Sequence, residues 1–379
     1  MFSPIYAAVR FVNNHRTCLC SDVVIIICCV TVIYSNTATT NGVMMMMKAA
    51  QFKAGGPDGL YIGEVPVPTP AEKEVLIKVV ASAINRADTL QRKGLYPPPP
   101  GASDILGLEA VGIVHQLGTG CTRWNVGDHV MALLPGGGNA EYVTAHEDLL
   151  IKIPDSMNFT TAAAIPEVWL TAFQLLHTIG KVRKGERVLI HGGGSGVGTA
   201  LTQLVKLADG IPIVTAGSQQ KLDKAKSLGA VAGFNYKTDK FSDGVLAATS
   251  GKGVDIILDC VGGSFYEQNI EVIAMEGRWV VYGLMGGGSI NGDILSKLLR
   301  KRISITGTTL RTRSVEYKRE LISNFTRVAM PHFESGYLQV VIDTIFPLEK
   351  LSEAHAMMES NTNNGKILIQ VNNNNKDEL

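Results

Sequence analysis

The chain has no CxxC pair and no cysteine–histidine cluster at zinc-ligand spacing, so no zinc site is written into it. Four of its six cysteines, Cys18, Cys20, Cys28 and Cys29, sit near the N-terminus. Cys121 and Cys260 lie far apart and read as ordinary small residues of the folded body. Excess charge is also missing. The 35 basic residues face 34 acidic ones for a net charge of +1, with no block of like charge. Nucleic-acid binders carry a clustered basic face, so no nucleic-acid partner is expected. No apolar run reaches the about 20 residues that a membrane-spanning helix needs, and no internal repeat is visible. Glycine, by contrast, is abundant. The 40 glycines cluster at Gly136–Gly138, Gly192–Gly198 and Gly286–Gly288, which points to loops where backbone must approach something closely. With 379 residues, 45% of them hydrophobic, the chain can bury a core of two-domain size.

Both ends carry address-like patterns. Arg10, His15 and Arg16 precede the apolar run Val23–Ile33, and a small polar stretch follows, as in a secretory signal peptide. An uncleaved anchor or a simple extension are the alternatives, so membrane contact is expected only through an uncleaved N-terminal segment. Residues 1–46 are read as this extension, with Met44 to Met47 offering later starts. The chain closes on a polar tail, residues 372–379, ending Lys376-Asp377-Glu378-Leu379, a retention address for the endoplasmic reticulum. Together the ends predict residence in the lumen of the endoplasmic reticulum, with the cytoplasm as the alternative. Asn158-Phe159-Thr160 and Asn324-Phe325-Thr326 are glycosylation sequons that would test this.

From Met47 to about Ile165 the pattern is mostly β, with apolar or alternating runs at Val75–Ala81, Ala110–Gln116, Gly127–Met131 and Ala140–Thr144. The prolines of Tyr96–Gly101 make that segment a loop. After Pro166 the period changes. Trp169–Ile179 reads as helix, and strands at Arg187–His191, Ile211–Ala216, Val254–Asp259, Arg278–Tyr282 and Ile303–Gly307 follow. Helices at Thr199–Ala208, Gln219–Leu228, Phe265–Ala274 and Ile294–Arg300 separate them, which argues for a parallel sheet covered on both faces. The tail from Ser314 holds a long helix, a strand near Val340–Phe346, a helix near Leu351–Glu359 and a last strand, Lys366–Val371.

The segment richest in chemistry is Val188-Leu189-Ile190-His191-Gly192-Gly193-Gly194-Ser195-Gly196-Val197-Gly198-Thr199. A strand ends, glycines turn and a helix begins. Small residues let backbone approach a pyrophosphate, and the helix N-terminus offers free N–H groups and a favourable dipole. The spacing is not a strict GxGxxG; Gly193, Gly196 and Thr199 fit GxxGxxT better. The alternative is a plain tight turn. A dinucleotide fold that takes NAD usually places a carboxylate about 20 residues further on, for the ribose 2′-hydroxyl. This chain has Thr215-Ala216-Gly217-Ser218-Gln219-Gln220-Lys221 there, with a hydroxyl and a cation in place of the carboxylate. NADPH is therefore favoured over NADH, unless Lys221 is only a solvated helix residue.

Asn85-Arg86-Ala87-Asp88, Gly107-Leu108-Glu109-Ala110, Leu134–Gly138, Ala164–Glu167, Ser195–Thr199 and Tyr282–Gly287 together resemble the quinone oxidoreductases of the medium-chain dehydrogenase/reductase superfamily, closest to the stress-inducible NADPH-dependent branch. The likeness runs from about Met47 to Val371. It implies an α/β fold: a GroES-like β domain built from residues 47–167 and 309–371, with a doubly wound Rossmann domain at 168–308 between them. The zinc enzymes of the superfamily carry Cys where Asn85 stands and His where Leu108 stands, so a zinc-free site is implied. Carried over by position, Asn85 and Tyr96 would lie beside nicotinamide and substrate. Pro166, Glu167 and Thr171 would line the cleft. Gly193, Gly194, Ser195, Gly196 and Val197 would hold the pyrophosphate, and Ser218, Lys221 and Tyr236 would surround the 2′-phosphate. Cys260 and Val261 would sit at a strand end, and Leu284, Met285 and Gly286 on the nicotinamide side. Thr308, Thr309 and Leu310 would close the pocket, and Lys366 would reach the cofactor. Tyr96 and Tyr236 also have structural readings, because a tyrosine hydroxyl often serves packing.

The implied activity is reduction of a quinone or related electrophile by hydride from NADPH. A quinone is electrophilic enough to need no Lewis acid, so the protein would supply orientation and a dry cleft, with Tyr96 or water giving the proton. Reduction of activated C=C bonds in enals or enones is the alternative. An NADPH-binding sensor or structural protein with little turnover is a third reading. The family also implies a homo-oligomer.

Overall fold

The computed structural model describes residues 44–372. The expected signal-like run, Cys18 to Cys29 and the terminal KDEL lie outside the described residues. Every described helix and strand belongs to the unit Met46–Leu379.

A hairpin of β1 (Met46–Phe52) and β2 (Leu60–Pro66) opens that unit, followed by the long buried strand β3 (Glu74–Ile84) and a short helix, α1 (Arg86–Arg92). Strands β4 (Glu109–Leu117), β5 (His129–Leu133), β6 (Tyr142–His146) and β7 (Leu150–Lys152) complete the first part of a sheet. Two helices, α2 (Phe159–Ala163) and α3 (Pro166–Phe173), lead away from it, and α3 runs on into a π-helical turn, Gln174–Ile179.

The next segment alternates strictly. It runs β8 (Arg187–His191), α4 (Gly196–Leu207), β9 (Ile211–Ala216), α5 (Gln219–Ser227), β10 (Ala232–Asn235), α6 (Phe241–Ala248), β11 (Val254–Asp259), α7 (Tyr266–Val272), β12 (Ile273–Val281), α8 (Ile294–Lys301) and β13 (Ser304–Gly307). All pairings are parallel, in the order β10-β9-β8-β11-β12-β13. β8, β9 and β11 are almost continuously apolar because helices cover both faces of a parallel sheet.

The chain then returns. After the long helix α9 (Val315–Glu334), β14 (Ile342–Pro347), α10 (Leu351–Ser360) and β15 (Lys366–Gln370) follow. β15 pairs antiparallel with β3, giving a seven-stranded sheet built from both ends of the unit. The expected combination of a GroES-like β domain with a doubly wound Rossmann sheet is what the strand orders describe. One large apolar core joins the two lobes, running from Val80 and Met131 through Trp169 and Leu170 to Val188 and Phe325.

Some boundaries differ from the sequence pattern. The glycine-loop helix starts at Gly196 rather than Thr199, because the Ser195 hydroxyl accepts from Gly198 N–H at 3.0 Å and caps it there. The helix expected at Phe265–Ala274 ends earlier, and β12 begins at Ile273 with an irregular stretch in which Glu276 has a positive φ of 61°.

Strand order fixes where a ligand can sit. From β8 the chain winds outward through β9 to β10, then jumps back to β11 on the other side of β8. The carboxyl ends of β8 and β11 therefore bound the crevice of the topological switch point.

Candidate active site

Both loops at the switch point rest on a buried polar network. The His191 ring meets Thr215 Oγ1 at 2.8 Å and Asn269 Oδ1 at 2.7 Å, and its burial lowers its pKa. Asp259 Oδ1 accepts from the N–H groups of Val261 and Gly262 at 2.7 and 3.0 Å. Its other oxygen accepts from Trp279 Nε1 and Asn269 Nδ2. The turn after β11 is thereby held against the turn after β8.

Above this network lies a cavity of about 430 Å³ whose wall includes Gly192, Gly194, Ser195, Gly196 and Val197. Backbone makes its floor. A Cβ at Gly194 would come 2.6 Å from the Lys221 side chain, and one at Gly196 would come 2.9 Å from Lys366. A Cβ at Gly217 would come 2.7 Å from the Tyr236 hydroxyl. Gly198 packs against the Gly192 carbonyl so closely that no larger residue fits. A cradle of bare backbone at the N-terminus of a 12-residue helix suits the pyrophosphate of a dinucleotide.

At the outer rim Lys221 Nζ donates to the Asn361 carbonyl at 2.6 Å, and burial lowers its pKa, with Lys237 as a further cause. Tyr236 is 39% exposed at the same rim. The Ser218 hydroxyl accepts from Lys221 N–H at 3.4 Å as the cap of α5.

A second cavity, about 820 Å³, adjoins the first and is lined by Tyr96, Leu108, Glu167, Thr171, Thr308 and Leu310 among others. The two share Asn85, Arg86, Val197, Cys260, Tyr282 and Met285 along their walls, so they form one cleft with a glycine-rich end and an apolar end.

Beneath the junction is a cluster of buried charge. Lys366 Nζ donates to Glu109 Oε1 at 2.6 Å and to Asn85 Oδ1 at 2.9 Å. Asn85 Nδ2 donates to Glu109 Oε1 at 2.7 Å, and Glu167 N–H donates to Glu109 Oε2 at 2.9 Å. Asp88 accepts from the N–H groups of Asn85 and Gly107 at 2.7 and 2.9 Å. Burial pushes the Asp88 carboxyl up to about 6. Burial, reinforced by the neighbouring Glu109, pushes Glu167 up to about 8.

Tyr96 lines the same cavity as Glu167. Arg311, 4% exposed, lies 5.4 Å from its ring and donates to the carbonyls of Pro135 and Tyr96, clamping the proline-rich loop. Burial, then the nearby Glu167, raises the Tyr96 hydroxyl. Thr308 Oγ1 accepts from Gln174 Nε2 at 2.7 Å, and the Cys260 thiol is pushed up to about 11 by burial, so it is a poor nucleophile.

Most of the residues singled out in the sequence meet in this cleft, with corrections. Pro166 is buried at the start of α3 and lines neither cavity. Gly193 faces Val214 in the core, 2.8 Å from where its Cβ would be. Ser218 caps α5 by accepting from Lys221 N–H, which leaves its hydroxyl proton to donate, but it is not on the cavity wall. Lys366 lines the glycine-rich end, but its ammonium is engaged by Glu109 and Asn85. Sequence reasoning missed Arg86, Glu109, Gln174, Tyr282 and Arg311. Arg86 and Glu109 stand inside motifs already noted, one beside Asn85 and the other beside Leu108. For Arg311 no local signal exists. Among the described residues no group of three or more His, Cys, Asp or Glu is placed to hold a metal ion.

Residues 71–155 match the alcohol dehydrogenase GroES-like domain, and residues 196–327 match the zinc-binding dehydrogenase family. The chain is 30% identical to a quinone oxidoreductase of Rattus norvegicus over 322 residues, 84% of this chain and 95% of that protein. It is 31% identical to the quinone oxidoreductase of Homo sapiens over 307 residues, 80% of this chain and 91% of that protein. Among solved structures, Escherichia coli quinone oxidoreductase complexed with NADPH is similar with a TM-score of 0.77 at 29% identity, covering 86% of this chain and 100% of that one. The CurK enoyl reductase is similar with a TM-score of 0.76 at 27% identity, covering 86% of this chain and 99% of that one.

Proposed function

This chain belongs to the quinone oxidoreductases of the medium-chain dehydrogenase/reductase superfamily, and from that premise we propose that it reduces quinones with NADPH and without a metal ion. The observation that carries the reading is the single cleft with two unlike ends. Bound at the glycine-rich end, NADPH would supply the hydride. The free N–H groups at the start of α4 would hold its pyrophosphate. Lys221 and Tyr236 would face the 2′-phosphate, and no carboxylate ends β9 to repel it. Val197, Cys260 and Met285, common to both cavities, would place the reacting ring against the apolar end. There Leu90, Leu108 and Leu310 offer walls for a flat, electrophilic ring and keep water away from it.

Self-association fits the same reading. β13 ends the parallel sheet, all four of its residues are exposed, and Leu295 and Leu299 of the neighbouring α8 are 75% and 81% exposed. An open strand edge beside exposed leucines would be covered by a second copy of the chain.

The test is a spectrophotometric assay of the purified protein with NADPH and NADH against ortho- and para-quinones and an alkenal. Quinone-dependent oxidation that prefers NADPH supports the reading. Turnover of the alkenal alone replaces it with C=C reduction. Tight NADPH binding with no acceptor turned over replaces it with a non-catalytic role.

A further inference from the structure

We propose that Glu167 is the general acid of this cleft, its carboxyl handing a proton to the acceptor once the acceptor has taken hydride. The inference rests on the oxidoreductase reading and names the proton source within that same site.

Three neighbouring carboxyls differ in the hydrogen bonds they receive. Glu109 accepts from Lys366, from Asn85 and from the Glu167 backbone, and is fully buried. Asp88 accepts two backbone N–H groups, one on each oxygen. No donor among the described residues reaches the Glu167 carboxyl. Lys366 stands nearest to the three acids, and its short contacts go to Glu109 and Asn85. Three acids packed together, of which only Glu109 touches a cation, cannot all ionise cheaply, and the proton settles on the one with the fewest donors.

That acid faces the reaction space. Glu167 lines the larger cavity together with Tyr96, Thr171 and Val197. The groups around it are Glu109, Asp88 and Lys366 beneath, Lys318 from α9, and Tyr96 and Arg311 of the same cavity. Lys318 donates to the Arg311 carbonyl at 2.7 Å and acts on Glu167 only through its charge, which lowers the carboxyl less than burial and Glu109 raise it. Tyr96 is the rival donor, but burial and Glu167 both raise its hydroxyl and make it the weaker acid. Glu167, held near 8, is protonated at neutral pH yet close enough to it to give the proton up.

The step balances. Bound NADPH would supply hydride, and with it both electrons, to the quinone, which would be left as an oxyanion. The Glu167 O–H bond breaks, the hydroquinone O–H bond forms, and the carboxylate regains a proton from water. With an enone the same proton would go to the α-carbon of the enolate.

The test compares wild type, Glu167→Gln, Glu167→Asp and Tyr96→Phe with NADPH and an ortho-quinone. Glu167→Gln keeps the shape and loses the proton. Its kcat is expected to fall at least tenfold at neutral pH, while Glu167→Asp retains part of the rate. The wild-type kcat should decline as pH rises through about 8, and that limb should vanish in Glu167→Gln. Infrared difference spectra across the same pH range give a readout apart from turnover: a protonated-carboxyl band present in wild type and missing in Glu167→Gln. Equal kcat in Glu167→Gln with the alkaline limb retained overturns the inference, and so does loss of that limb in Tyr96→Phe alone. Absence of the infrared band overturns it even if no acceptor is turned over. An inactive wild type that still shows the band counts against the quinone reading and leaves Glu167 a protonated acid.

Discussion

The Lys221 ammonium donates to the carbonyl of Asn361 at 2.6 Å, so the helix below the second Rossmann strand is tied to the end of α10 in the other lobe. The Asn361 side chain in turn accepts from Arg86 Nη2 at 2.5 Å, beside Asn85. The cation expected at the 2′-phosphate is thus also a clasp across the mouth of the cleft.

An ammonium has three donors, and one bond to Asn361 leaves two for a phosphate. Lys221→Ala should raise the KM for NADPH about 10- to 100-fold, the worth of a charge-assisted hydrogen bond, and leave the KM for NADH nearly unchanged. Steady-state kinetics with both cofactors decide it. An unchanged preference would mean that Lys221 serves only the clasp.

Lys366 and Glu109 form a buried ion pair, with side chains 4% and 0% exposed. Lys366→Met strands the Glu109 carboxylate and should cost about 3–5 kcal/mol in urea unfolding. The double variant Lys366→Met/Glu109→Gln should recover most of that loss, because no bare charge remains. A single variant as stable as wild type would show that water reaches the pair.

The raised carboxyls give a signed pH effect. Asp88 and Glu167 hold protons in the folded state up to about 6 and about 8, whereas the unfolded chain releases them near 4. Between those values the folded state binds more protons, so their contribution to stability falls as pH rises. Thermal melts of Glu167→Gln should lose part of that downward slope above about pH 6, and a slope identical to wild type would contradict the raised value.

His355 works in the opposite direction. It is fully buried in α10, both ring nitrogens lack a partner among the described residues, and burial, aided by Arg92, lowers its pKa to about 3. The unfolded histidine takes a proton near 6.5. Below that value the unfolded state binds more protons, so stability is lost as pH falls from about 6.5 toward 3. His355→Phe should flatten the acid side of the stability profile, and an unchanged acid limb would assign it to other groups.

If β13 and α8 are covered by a second copy, Leu299→Glu should shift the protein to monomer in light scattering while leaving NADPH binding intact. A wild type that is already monomeric, or a variant that stays associated, places the contact elsewhere.

Local sequence determined a good deal of this protein. β8, β9 and β11 fall where the apolar runs put them, because a strand covered on both faces must be apolar throughout. The end of α5 is marked by Gly229, whose φ of 117° few other residues tolerate. The glycines before α4 announce a phosphate cradle for the same local reason. Shorter features escaped: the hairpin of β1 and β2 and the seven-residue α1, each too brief to show a period.

The charge cluster beneath the cleft was decided only by tertiary structure. Lys366 and Glu109 are 257 residues apart and meet because β15 returns to pair with β3. Arg311 reaches the Tyr96 loop from a segment beyond the Rossmann sheet. A residue's type states what partner it would accept, but which partner arrives depends on how distant strands close the sheet. The raised carboxyl of Glu167 follows from that closure, since its pKa is set by burial and by neighbours that no stretch of sequence near it contains.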